Sequence, residues 1–173
     1  MADLNLRAAF FPTYRAGPDS YWLGLGVIAL IDAVRLTLSG GGGLLAWLLI
    51  VFFTACININ RLRDAGRQGP LVILPLGAAV LAKSAVALFA SAFIAMEAYL
   101  TQQGINIADS AAVMQAIAEP DFQGDYQAYL QANPEMMETA LRDAAWPSTW
   151  AYWLTAAAFG LWFAGMRARP RAV

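Results

Sequence analysis

The sequence predicts an all-α integral membrane protein: four transmembrane helices, with an extracytoplasmic helical insertion between the third and the fourth. Three observations lead there. Of 173 residues, 60% are hydrophobic, 13% are charged and none is histidine, which is too apolar for an ordinary soluble domain. Apolar runs of membrane-crossing length occupy 20–38, 44–60, 71–100 and 149–166. The net charge of -1 conceals a segregation: arginines crowd 1–19, 61–67 and the C-terminal tail, whereas acidic residues crowd 101–148. Such segregation reports orientation in a bilayer and points away from nucleic acid.

Residues 1–19 form a cytoplasmic interfacial segment, with Leu4, Ala8 and Phe11 on one helical face, Arg7 opposite and a stop at Pro12. The run at 20–38 is no secretory signal, because it is too long, contains Asp32 and Arg35 and lacks a small-residue cleavage site. It is the first span, anchored at its inner end by Tyr21 and Trp22. Its aliphatic residues offset about 4 kcal/mol of insertion cost, while Asp32 and Arg35 near the centre cost about 6 kcal/mol. Those charges therefore pair at their i, i+3 spacing or face protein and water.

A glycine turn, Ser39 to Gly43, leads to the second span, whose 44–60 run is about 25 Å long and so recruits the glycines or thins the bilayer. The third run, 71–100, is about 45 Å as one helix and must protrude, with Pro75 placed to kink its start. Ala79, Lys83, Ala87, Ser91 and Ala95 make an i+4 column that turns Lys83 toward protein. Asp32 and Lys83 both fall about 18 Å from the cytoplasmic ends of their spans, a depth that allows them to pair.

Residues 101–148 hold seven acidic side chains (Asp109, Glu119, Asp121, Asp125, Glu135, Glu138, Asp143) against Arg142 alone, which suits a periplasmic cap. Helices are predicted near 110–118 and 125–131, and from Pro134, capped by Asn133, to a stop at Pro147. Helices this short bury little by themselves, so their apolar faces rest on the span ends, the outer leaflet or a partner. The fourth span carries Trp150, Tyr152 and Trp153 at its outer end, Trp162 at its inner end and small residues at Ala156, Gly160 and Ala164. With Arg167, Arg169 and Arg171 beyond it, eight of the eleven basic residues share one side, and both termini are expected to be cytoplasmic.

The charged island between the second and third spans reads Arg61-Leu62-Arg63-Asp64-Ala65-Gly66-Arg67-Gln68-Gly69-Pro70. Arg61, Leu62, Asp64, Gly66, Arg67 and Gly69, together with the aromatic pair Tyr21-Trp22, resemble the signature of the YhaH/YhaI-like family of uncharacterised bacterial inner-membrane proteins, a domain of unknown function. That family has histidine, serine and tryptophan where Arg63, Gln68 and Pro70 stand here. The likeness covers about 15–76 and leaves out the family's C-terminal ending and the acidic insertion. It implies a three-span domain over 20–100 and a location in the bacterial inner membrane, and no reaction.

Two groups of residues carry candidate chemistry. Arg61, Arg63, Asp64 and Arg67 could hold an anionic lipid headgroup or a partner, since guanidiniums donate in pairs to phosphate and Gly66 and Gly69 allow close approach. The plainer account has arginines setting topology while Asp64 pairs with Arg67. Asp32, Arg35 and Lys83 form an intramembrane charge cluster that either lines a polar path or ties helices together. Asn58 and Asn60 are expected to hydrogen-bond between helices.

Absences narrow the classes. With no histidine and one cysteine, Cys56, the chain offers no imidazole base, ordinary zinc site or redox pair, and it has no nucleophile elbow or phosphate loop. No catalytic residue, metal or cofactor is expected. The leading expectation is a non-catalytic accessory or structural subunit of a larger membrane complex, in contact with anionic lipids and with a membrane-protein partner or a second copy of itself. The alternative is a small transporter or channel component with its path through Asp32, Arg35 and Lys83.

Overall fold

Three helices set the architecture: Pro18–Leu38, Leu44–Asp64 and Gly69–Gln102 are each long and apolar enough to cross a membrane. The computed structural model describes residues 6–39 and 43–166, and among these no strand occurs. In order, the helices are α1 (Arg7–Phe10), α2 (Pro18–Ser39), α3 (Leu44–Asp64), a 3-10 turn (Gly69–Val72), α4 (Ile73–Gln102), α5 (Ser110–Ile117), α6 (Phe122–Ala132), α7 (Pro134–Asp143) and α8 (Ala145–Ala164). The predicted fourth span corresponds to α8, which stands outside the three because its tryptophans, Pro147, Ser148 and Thr149 lower its hydropathy. Gly40 to Gly42 and Arg167, Arg169 and Arg171, to which turn and tail roles were assigned, lie outside the described residues.

The chain divides into two compact units, 1–83 with 149–173, and 84–148. The core of the first gathers Ala8, Ala9, Tyr21, Leu25, Ile28, Ile50, Ile57, Leu62 and Phe163 from α1, α2, α3 and α8. Close approach depends on missing side chains. A Cβ on Gly24 would lie 2.9 Å from Ile57 Cδ1, and one on Gly160 would lie 3.0 Å from the Trp22 ring.

Several expectations need correction here. Of residues 6–17 only Arg7–Phe10 is helical, and it buries Ala8 and Ala9 while Phe11 points outward; Leu4 lies outside the described residues. Tyr21 is fully buried core, not an interfacial anchor, because its hydroxyl finds a partner inside. The second span gains length from the arginine side, running on to Asp64, and at 21 residues reaches about 31 Å. Pro75 leaves α4 uninterrupted, since it sits in the first turn, where its missing N–H costs no hydrogen bond.

In the second unit, Tyr99 is the centre of a ring cluster, with Phe122, Tyr126 and Tyr129 at centroid distances of 5.7, 5.5 and 5.2 Å. The Asp109 carboxylate caps α5 by accepting from the Ala111 and Ala112 amides. Asn133 serves the preceding helix, its Nδ2 donating to the Tyr129 carbonyl at 2.9 Å, so α7 starts at Pro134 without a side-chain cap. Pro147 does not end a helix; it lies in the first turn of α8.

Candidate functional site

The arginine island is a helix terminus with a clasp built on it. Gly66 at φ +68° takes the left-handed turn that stops α3. Its amide donates to the Arg63 carbonyl at 3.1 Å and the next amide, Arg67, donates to the Leu62 carbonyl at 2.8 Å, the two bonds of a Schellman stop. Leu62 is fully buried beneath it. One turn back, the Arg61 side chain is also fully buried.

The Arg61 guanidinium closes the C-terminus of α8. Its Nε donates to the Phe163 carbonyl at 3.0 Å, and Nη2 donates to the carbonyls of Ala164 (2.9 Å) and Met166. Nη1 donates to Asp64 Oδ2 at 2.7 Å. The last carbonyls of a helix have no partner within it, and a forked cation there satisfies them and offsets the negative end of the helix dipole. Asp64 thus pairs with Arg61 and not with Arg67, because a buried cation needs the carboxylate more than an exposed one does.

The same end of the unit holds the N-terminal segment. Asn60 Nδ2 donates to the carbonyls of Ala8 (2.8 Å) and Phe11 (2.6 Å), the Asn60 main-chain carbonyl accepts from the Ala16 amide, and Arg63 donates to the Pro12 carbonyl. Asn58 accepts from the Tyr21 hydroxyl at 3.0 Å and donates to the Thr54 carbonyl at 2.7 Å. Of the four residues proposed for headgroup contact, Arg63 and Arg67 are exposed, Asp64 is half-buried and Arg61 is sealed.

The second cluster lies deeper along α2. Asp32, buried to 1% exposure, accepts from Arg35 Nε through Oδ1 and from Trp153 Nε1 through Oδ2, each at 2.9 Å. Lys83 Nζ donates to the Thr149 hydroxyl at 2.8 Å and lies within the electrostatic reach of Asp32 and Arg35. The structure therefore gathers Asp32, Arg35 and Lys83 in one neighbourhood, with Trp153 and Thr149 as members that charge spacing did not reveal. Tyr152 is beside them, its buried hydroxyl close to Thr54 and within the electrostatic reach of Asp32. The i, i+3 pairing of Asp32 with Arg35 was legible; an aromatic donor 121 residues away was not.

Nothing in comparison fills in a role. No family model, curated protein or solved structure matches this chain. Among the described residues no group of three or more potential ligands is placed to hold a metal ion.

Proposed function

We propose that this chain is a four-span bacterial inner-membrane protein of non-catalytic role, an accessory or structural subunit of a larger membrane complex. Both termini are cytoplasmic and 101–148 is periplasmic. The observation that carries the reading is that the intramembrane charge is spent on holding helices together. Both Asp32 oxygens are occupied from within the protein, and the Arg61 guanidinium is taken up by the end of α8. A route for ions would keep such groups facing water.

The run of α8 supports its counting as the fourth span. Trp153 meets Asp32 and Gly160 lies against Tyr21 and Trp22 of α2, while Thr149 meets Lys83 of α4 and Phe163 meets Arg61 of α3, so α8 touches each of the three long helices. At 20 residues it is about 30 Å long, enough to cross. It ends beside Arg61 and α1, which supports reading both termini as cytoplasmic. The exposed Arg63 and Arg67 then face anionic headgroups. The likeness of the Arg61–Gly69 stretch to the YhaH/YhaI-like signature is consistent with the bacterial inner membrane.

A partner surface is supported by the cleft between α2 and α8. Gly26, Ala29 and Ala157 line it with Trp22, Trp150 and Trp153, and small residues let another membrane helix approach closely. Mild-detergent extraction of the tagged chain followed by mass analysis tests the reading, with a stoichiometric membrane-protein partner, or a second copy, as the expected result. A reporter enzyme fused near Gln115 is expected to be active only outside the cytosol.

One observation favours the alternative, a small transporter component: Asp32, Arg35 and Lys83 gather in one buried neighbourhood. Ion flux in liposomes holding only this chain, abolished by Asp32→Asn, would decide for that reading.

A further inference from the structure

The acidic unit contains a cavity of about 260 Å³, shaped by the turn joining α5 to α6. Tyr99 and Phe122, whose rings stand edge to face at 5.7 Å and 70°, are among its lining residues. The buried Leu100 and Ala116 line it as well, with Gln103 and Ile105. Glu119 and Asp125 complete the lining, and the Phe122 amide donating to the Glu119 carbonyl at 3.1 Å fixes the turn between them.

The chemistry of that lining selects a ligand. Aromatic faces carry negative charge density and attract cations, most strongly those too large and weakly hydrated to prefer water. Carboxylates at the same opening add attraction that no neighbouring base cancels. Residues 84–148 contain eight acidic side chains and one basic side chain, Arg142, whose recorded ion pair is with Glu138. A divalent metal is disfavoured, since it requires a shell of oxygens and no triad of ligating residues converges among the described residues. Taking about 30 Å³ as the share of one water, the cavity holds about nine such groups, the size of a small organic ammonium.

We propose that this cavity is a binding site for a small organic cation of the quaternary ammonium class, with Tyr99 and Phe122 against the onium group and Glu119 and Asp125 as its counter-charges. The cation belongs to a free solute or to a lipid headgroup, since both present the same trimethylammonium. The proposal rests on this unit alone and stands whichever reading of the membrane domain holds.

Isothermal calorimetry on the full chain in maltoside micelles at constant ionic strength provides the test, with choline as the probe. Saturable binding is expected. No binding is expected for its uncharged carbon isostere, in which a tert-butyl group replaces the trimethylammonium. Glu119→Gln and Asp125→Asn, both exposed and so safe for folding, are each expected to weaken binding by about tenfold, and Phe122→Leu to weaken it similarly with helicity unchanged by circular dichroism. Competition by a short-chain phosphatidylcholine assigns the site to headgroups, and its failure assigns the site to free cations. Absence of saturable heat, equal binding of the isostere, or an affinity indifferent to the Glu119→Gln, Asp125→Asn double change overturns the proposal.

Discussion

Asp32 and Trp153 lie 121 positions apart and share one hydrogen bond, the indole N–H donating to Oδ2 at 2.9 Å. Together with Arg35 on Oδ1, that bond leaves the carboxylate with a partner on each oxygen in a place where water supplies none. The pair joins the first long helix to the last.

Trp153→Phe keeps most of the ring and removes the donor. The expected loss is about 1.5–3 kcal/mol, the worth of a hydrogen bond to a charged group. Asp32→Ala is expected to cost more, about 3–5 kcal/mol, because it removes the carboxylate that both Arg35 and Trp153 address. A double-mutant cycle on Asp32 and Trp153, read by reversible unfolding in mixed micelles, measures the coupling; strict additivity would mean the bond contributes nothing.

Arg61 offers a sharper contrast with its neighbours. Arg61→Ala leaves the end carbonyls of α8 and the Asp64 carboxylate without their donor, for an expected loss of about 3–5 kcal/mol. Arg61→Lys recovers only part, since an ammonium cannot reproduce the planar fork. Arg67→Ala, at an exposed site, is expected within about 0.5 kcal/mol of the parent. Thermal unfolding of the detergent-solubilised series, followed by circular dichroism, would rank them, and equal losses at 61 and 67 would refute the clasp.

Two glycines make a matched pair. Gly160→Ala places a Cβ 3.0 Å from the Trp22 ring and 3.2 Å from the Tyr21 hydroxyl, and overpacking of this kind costs about 1–3 kcal/mol. Gly26→Ala meets nothing within 4 Å and removes helix-weakening backbone freedom, so it is expected to stabilise by up to about 1 kcal/mol. Melting temperatures moving in opposite directions are the expected outcome.

The Tyr126 phenol is pushed above its ordinary value, first by burial and then by the neighbouring Tyr129. A raised phenol favours the neutral ring in the folded state. Its contribution is therefore complete below the unfolded value of about 10 and is lost as pH climbs through the folded one. Near-ultraviolet circular dichroism of the ring cluster is expected to hold to pH 10 and collapse above it, whereas Tyr126→Phe should delay the collapse.

Apolar run length, the acidic composition of 101–148 and the helix start at Pro134 were readable in one dimension because each is a local property. Helix type needs only neighbours within about four residues, and insertion cost is summed along a segment. Asp32 with Arg35 belonged to the same local class. The roles of Tyr21, Asn60 and Arg61 did not, since each depends on which distant carbonyl or amide comes within 3 Å.

What the sequence by itself determined is therefore a set of long apolar helices and an acidic helical stretch over 101–148. Tertiary structure alone decided that Arg61 serves α8 instead of the surface, that Asp64 turns to Arg61, and that Trp153 completes Asp32. The physical reason is that a buried polar group takes whichever partner packing brings near, and packing is settled by contacts between segments that lie far apart along the chain.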